Sequence, residues 1–94
     1  MAQGYVGPIL IVGPLGDAVL AAIRDENPEV SVEERGAYVR VGCPGRCRVS
    51  REAIERRYGD RVRLPSDLER VMPSFQGRVS FSEDGAEWSA GALA

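Results

Sequence analysis

Two cysteines, Cys43 and Cys47, are the most nucleophilic side chains in this 94-residue chain, and they stand close together in the sequence. The segment Cys-Pro-Gly-Arg-Cys does not have the two-residue spacing of a thioredoxin-type redox motif. Because the chain has no histidine, two thiols cannot complete a four-ligand zinc site within one molecule. The residues alone leave two alternatives open: a pair of reduced thiols in a turn, or a disulfide between neighbouring strands.

Other kinds of catalytic side chain find little support in the composition. The absence of histidine removes the commonest general base and metal ligand, and the absence of lysine removes Schiff-base chemistry. Acidic residues cluster between Asp25 and Glu34, but nothing in the sequence supplies the pocket or electrophile that an acid–base pair needs. The glycines of residues 13–16 lack the spacing and the lysine of a phosphate-binding loop. We therefore expect no catalytic residue, no metal and no cofactor.

Charge is unevenly distributed along the chain. Residues 46–63 hold seven arginines and three acidic residues, a net charge of +4, whereas the whole chain has a net charge of −2 and an isoelectric point near 5.1. This basic block could face an acidic partner, or it could be a solvated helix face with its own ion pairs. Because Tyr58 is the only aromatic residue in the block, base stacking is poorly supported, and we expect no nucleic-acid binding.

Hydropathy favours a protein that stays in the cytoplasm. No apolar stretch reaches the roughly 20 residues that a membrane-spanning helix requires. The apolar residues 6–12 are not preceded by the basic segment of a signal peptide. We therefore expect no association with a membrane.

A strand and a helix are predicted at the start of the chain. Residues 6–12 are apolar and β-branched, which is typical of a buried strand. Asp17 is a good N-cap for a helix over residues 18–25, and Asn27-Pro28 ends that helix because the residue before proline avoids the helical region. The apolar residues at helical spacing are expected to face the core: Leu15, Val19, Ala22 and Ile23.

A hairpin is predicted next, because valines at positions 30, 32, 39 and 41 alternate with polar residues. A two-residue turn at Arg35-Gly36 sets Val32 opposite Val39 and places all four valines on one face. Tyr38 and Arg40 then lie on the opposite face.

The middle of the chain suggests a second turn and a helix. A three-residue loop between the cysteines would set Cys43 opposite Cys47 on a third strand. Ser50 is expected to cap a helix from Arg51 to Tyr58, with Tyr58 facing inward and Gly59 following its end.

The last third of the chain predicts a short helix and a second hairpin. Residues 66–69, Ser-Asp-Leu-Glu, have the spacing of a capping box. The Asp84-Gly85 pair is the strongest short-range hairpin signal in the chain, and a turn there sets Phe81 opposite Trp88. Residues 89–94 are expected to fray.

Together these elements predict an α+β fold in the order β-α-β-β-(β)-α-α-β-β. Two layers are expected: a mainly antiparallel sheet, and about three helices that cover its apolar side. No repeat or linker is apparent, so residues 1–94 are expected to form a single domain with an ordered core over about residues 6–88.

The order of several short motifs resembles the effector, or coupling, proteins of soluble multicomponent diiron monooxygenases. This group includes the toluene, phenol, alkene and methane monooxygenases. The motifs are Val-Gly-Pro-Ile at 6–9, Glu-Asn-Pro at 26–28, Val-Ser-Val-Glu-Glu-Arg-Gly-Ala-Tyr-Val-Arg-Val at 30–41 and Ser-Phe-Gln-Gly-Arg-Val at 74–79. The resemblance extends over about residues 6–88. Two features depart from the family: only five residues precede Val6, whereas methane-type members have a long N-terminal tail, and the Cys43–Cys47 turn is not a family feature.

The resemblance implies a regulatory component of a monooxygenase involved in hydrocarbon or aromatic catabolism, not an enzyme. Such a protein binds the diiron hydroxylase without a cofactor of its own. It tunes O₂ activation, substrate access and the coupling of electron transfer to hydroxylation, and competition with a reductase or ferredoxin for the hydroxylase is a further expectation. Carried over by motif, the hydroxylase-binding candidates are Gly7, Asn27, Arg35, Tyr38, Arg40, Ser74, Phe75, Gln76 and Gly77.

Two rival interpretations remain at the level of sequence. A cytoplasmic protein-binding adaptor with no oxygenase partner fits the same composition. An enzyme that uses only carboxylates or cysteine is the other rival. Gly7, Asn27 and Gly77 have an alternative role as residues that only shape turns.

Overall fold

A computed structural model describes residues 4–90 of the chain, and this part contains three helices and seven strands. The α+β class and the antiparallel pairing of strands are confirmed, and a short strand over residues 74–76 is added to the predicted order. Of the segment expected to fray, Ser89 ends the last strand, and residues 91–94 lie outside the described residues. The elements are β1 Tyr5–Ile11, α1 Pro14–Glu26, β2 Ser31–Arg35, β3 Tyr38–Pro44, β4 Arg46–Ser50, α2 Arg51–Tyr58, α3 Ser66–Val71, β5 Ser74–Gln76, β6 Arg78–Ser82 and β7 Gly85–Ser89.

The strands form two sheets, where the sequence suggested one. The first sheet has the order β2-β3-β1-β5 and the second has the order β4-β7-β6. The chain passes from the first to the second at Gly45, whose positive φ of 75° suits a glycine. Gly45 also forms hydrogen bonds with both ends of the described chain. Its N–H donates to the Gly4 carbonyl at 2.8 Å, and its carbonyl accepts from the Ala90 N–H at 3.1 Å.

The predicted hairpin across the two cysteines is therefore wrong. β4 pairs with β7 and not with β3, so Cys47 lies opposite Trp88 rather than opposite Cys43. Both thiols are free, and both are buried in the core at 1% and 0% exposure.

The β2–β3 hairpin forms with a register two residues away from the predicted one. Arg35 pairs with Tyr38 and Val32 pairs with Val41, so the turn consists of Gly36 and Ala37. Gly36 has a φ of 67°, which suits the first central position of a type II′ turn. Because the shift is even, the valines still share one face, as predicted.

The β6–β7 hairpin differs in the same way. Ser82 pairs with Gly85, and Phe81 pairs with Ala86 instead of Trp88. Gly85 is not in the turn but in the strand, where a Cβ would lie 2.5 Å from the Val49 carbonyl oxygen of β4. The glycine is therefore required by the close approach of β4, and the Asp-Gly signal misled the sequence prediction.

The four predicted core residues of α1 are all buried. However, α1 begins at Pro14, and Asp17 lies within its first turn. Ser50 and Gly59 bound α2 as predicted, with the Ser50 hydroxyl accepting from the Ala53 N–H at 3.1 Å.

Two predicted details of the later helices are wrong. Tyr58 is 39% exposed and does not face inward. Val62, whose N–H donates to Glu55 of α2 at 2.9 Å, is buried. The capping box of α3 does not form: Pro65 is at the N-cap, and the Asp67 carboxylate accepts from the Arg63 N–H at 2.7 Å.

A polar junction joins the C-terminal end of α1 to the start of the second sheet. The Asn27 amide donates to the carbonyls of Ile23 and Arg48, both at 2.7 Å, and it accepts from the Arg48 N–H at 3.1 Å. Glu26 accepts from the Ser50 N–H at 2.6 Å and from the Ser50 hydroxyl at 2.9 Å. The side chains of Glu26 and Asn27 thus occupy the free edge of β4, where another strand would otherwise pair.

Replacing Asn27 by alanine should destabilise the fold by about 1–3 kcal/mol, because three hydrogen bonds are lost, two of which join the end of α1 to β4 and the third of which is part-buried. Urea unfolding followed by circular dichroism measures the change. Arg24→Ala on the exposed side of the same helix is the control and should stay within about 0.5 kcal/mol. An Asn27→Ala protein as stable as the control would contradict the role of the junction.

The two thiols should react slowly in the folded protein. Burial raises the pKa of both Cys43 and Cys47, so the reactive thiolate forms only at a pH well above that of an exposed cysteine. Thiol titration without reductant should find two free thiols in urea, and labelling of the native protein should stay slow as the pH rises from 7 to 9. Fast native labelling, or fewer than two thiols in urea, would contradict the structure.

Candidate protein-binding face

One side of the first sheet is not covered by any other element among residues 4–90. Strand alternation turns Val6, Leu10, Val41 and Cys43 towards the helices and the second sheet, and all four are buried. The alternate positions point to the other side, which we call the outer face. It consists of Ile9, Ile11, Glu33, Arg35, Tyr38, Arg40, Ser74 and Gln76.

The strand register arranges these side chains in rows across the sheet. One row joins Arg35 on β2, Tyr38 on β3 and Ile11 on β1. The next row joins Glu33, Arg40, Ile9 and Ser74 across all four strands. Charged, aromatic and aliphatic groups therefore lie side by side on one flat surface, a mixture typical of protein-binding surfaces.

Arginine charges on the outer face are only loosely held. Arg35 lies 3.4 Å from the Glu33 carboxylate and Arg40 lies 3.8 Å from it. The Arg35 and Arg40 side chains are 65% and 38% exposed, and exposed ion pairs of this kind contribute little stability. The Glu33 carboxylate thus lies within 4 Å of two guanidinium groups of the outer face.

The structure brings together five of the nine predicted binding side chains. Arg35, Tyr38, Arg40, Ser74 and Gln76 all lie on the outer face. Sequence reasoning missed the neighbouring apolar residues Ile9 and Ile11, because the continuous apolar run of residues 6–12 resembles a strand buried on both sides.

Three of the remaining four predicted residues contribute to the fold, two through close backbone packing and one through hydrogen bonds. Gly7 lies where a Cβ would stand 2.4 Å from the Val41 carbonyl oxygen, and at Gly77 a Cβ would stand 2.4 Å from the Ser89 carbonyl oxygen. The amide of Asn27 is engaged in the polar junction.

Phe75, the fourth, is on β5 but on the opposite side from the outer face. It pairs with Pro8, whose side is the inner one, and it remains 40% exposed because β5 is the edge of the sheet.

The basic block of residues 46–63 is largely neutralised by tertiary contacts. Arg46 pairs with Glu87, Arg51 lies 3.6 Å from Asp84, and Arg57 holds Asp25 through two hydrogen bonds of 2.5 and 2.8 Å. These three acids come from the acidic segments on either side of the block. The Arg57 guanidinium also lowers the pKa of Asp25. Within the block, Arg51 lies 3.5 Å from Glu55 and Arg56 lies 3.6 Å from Glu52, so the block has ion pairs of its own as predicted and further pairs with distant acids.

A polar, open cleft of about 780 Å³ lies on the surface of the described residues. Its walls include Arg51, Glu55 and Asp67 from the α2–α3 region and Glu83 from the β6–β7 turn. Among residues 4–90, no three acidic or cysteine side chains come together to form a metal site. No helix in the same range is long and apolar enough to cross a membrane.

Comparisons with known proteins agree on one family. Residues 4–89 match the sequence model of the MmoB/DmpM family. The effector subunit of the alkene monooxygenase system of Xanthobacter autotrophicus (strain ATCC BAA-1158 / Py2) is 41% identical over 90 residues, which cover 94% of this chain and 88% of that protein. A chain in the solved phenol hydroxylase–regulatory protein complex has the same fold, with a TM-score of 0.79 at 16% identity over 90% of this chain and 95% of that one. The resemblance inferred from the order of the motifs is thereby confirmed, and the chain belongs to the MmoB/DmpM family.

Proposed function

We propose that this protein is the effector component of a multicomponent monooxygenase and acts by binding the diiron hydroxylase component. The observation that carries the proposal is the 41% identity to an alkene monooxygenase effector subunit over nearly the whole chain. The outer face, which no other element among residues 4–90 covers, supports it, because a protein that acts by binding needs an exposed surface of mixed chemistry held on a rigid support.

The proposed action is a shift in the states of the hydroxylase. An effector changes its partner only if it binds some conformations of the partner more tightly than others. The outer face is suited to this because its side chains stand on paired strands that are backed by a buried core. Such a rigid face binds one conformation of the partner more tightly than the others, because it does not change its own shape to fit each of them.

Three consequences for the hydroxylase belong to this proposal. Binding tunes O₂ activation at the diiron site, controls the access of substrate, and couples electron delivery to hydroxylation. If the outer face covers the surface that a reductase or ferredoxin uses, effector and electron donor compete for the hydroxylase. A general adaptor with no oxygenase partner would produce none of these effects.

Turnover by the hydroxylase and reductase of the same system should depend on this protein. We expect both the rate of product formation and the product formed per NADH consumed to rise when the protein is added. The reason is that only the effector-bound hydroxylase couples electron delivery to hydroxylation. Product and NADH are measured with an unrelated protein of equal concentration as the control. If neither quantity changes, the protein is not the effector.

Replacing Arg40 by alanine should weaken hydroxylase binding by about tenfold, which corresponds to about 1.4 kcal/mol, without lowering the melting temperature. The reason is that Arg40 is partly exposed and lies 3.8 Å from Glu33, so the fold depends little on it. Isothermal titration calorimetry gives the affinity.

The matched control is Arg56→Ala. Arg56 lies 3.6 Å from Glu52 in a similarly weak pair, but it stands on α2, which packs against α1 on the other side of the sheet. Equal loss of affinity in both variants would show that overall charge, and not the outer face, governs binding.

A further inference from the structure

We propose that the apolar part of the outer face, formed by Ile9, Ile11 and Tyr38 and here called the apolar strip, is the anchor that docks on an apolar surface of the hydroxylase next to a carboxylate. The inference rests on the proposed function and adds the chemistry of the contact. Ile9 and Ile11 were not among the binding candidates carried over from the sequence motifs.

The apolar strip joins two exposed apolar side chains to a half-buried one. Tyr38 is 46% exposed and Ile11 is 37% exposed, and Ile9 is half-buried beside them. Ile11 pairs with Tyr38, and Ile9 lies two residues before Ile11 on the same side of β1. The three residues are therefore contiguous, whereas isolated exposed apolar residues are common and carry no such meaning.

Backbone contacts hold the apolar strip firmly in place. Ile11 and Tyr38 belong to paired strands of the first sheet. α1 begins at Pro14, and its Gly16 approaches the end of β1 so closely that a Cβ there would stand 1.9 Å from the Ile11 carbonyl oxygen. A preformed strip loses little conformational freedom on binding, so more of its apolar contact contributes to affinity.

Arg35 indicates which charged group the partner should place beside its apolar surface. It lies beside Tyr38 in the same cross-strand row, and its side chain is 65% exposed. Tyrosine and arginine are the residues most enriched among those that dominate binding energy. The expected complement is therefore an apolar surface with a carboxylate placed to meet the guanidinium of Arg35.

The size of the outer face argues for the hydroxylase over a second copy of this chain. Four strands about 4.8 Å apart and up to about seven residues long give a flat area of roughly 450 Å². A stable interface takes about 800 Å² from each partner, so two copies meeting face to face would fall short. A larger hydroxylase can enclose the apolar strip and also contact the surface around it.

Calorimetric titration of the hydroxylase with single variants tests this inference. Ile11→Ser and Tyr38→Ser should each raise the dissociation constant by about tenfold or more. Tyr58→Ser is the matched control, since Tyr58 is also a tyrosine, is 39% exposed and lies on α2; it should change the dissociation constant by less than about twofold. Thermal melting checks that each variant folds, and Ile9→Ser replaces any that does not.

The outcomes separate this inference from the proposed function. Wild-type affinity in the strip variants overturns the inference alone, because the unaltered protein still binds and stimulates the hydroxylase. An equal loss in Tyr58→Ser also overturns it. Sedimentation equilibrium without the hydroxylase should find monomers; a dimer that Tyr38→Ser abolishes would assign the strip to self-association instead. If the unaltered protein neither binds nor stimulates the hydroxylase, the proposed function fails as well.

Discussion

The polar junction at the C-terminal end of α1 is the interaction on which the rest of the structure depends. α1 packs against the first sheet, whereas β4 is an edge strand of the second sheet and continues into α2. Asn27 and Glu26 bond the backbone of Arg48 and Ser50, and Asp25 bonds Arg57 of α2. These contacts satisfy backbone groups at an open strand edge, where water or another strand would otherwise bind. They also orient one half of the chain against the other.

With that orientation established, the core closes on one side of the first sheet only. α1 and the second sheet pack against the inner side of the first sheet, where Leu10 and Val41 are buried in the same core as Trp88. The outer positions of the same strands remain exposed. Alternate residues of β1 thus have different roles. One set is buried in the core and stabilises the fold, and the other set, which includes Ile9 and Ile11, is available to a partner.

The motifs that reveal the family combine these two roles. Gly7 and Gly77 allow neighbouring backbones to approach more closely than any Cβ would permit, and Asn27 joins two elements. Tyr38 and Arg40, which come from the same kind of motif, point away from the core. A motif match therefore identifies the family without distinguishing residues that shape the fold from residues that contact a partner. Burial and hydrogen-bond partners make that distinction.

The sequence by itself determined the α+β class, the positions of the strands and helices near the start of the chain, the core residues of α1 and the outward direction of Tyr38 and Arg40. Each follows from local periodicity or capping, which depends on residues close together in the chain. Only the tertiary structure decided the division into two sheets, the two hairpin registers, the pairing of the basic block with distant acids and the exposure of Ile11. The physical reason is that these features depend on contacts between residues far apart in sequence: Gly85 is in a strand because β4 passes close by, and Arg57 is neutralised by an aspartate 32 residues away.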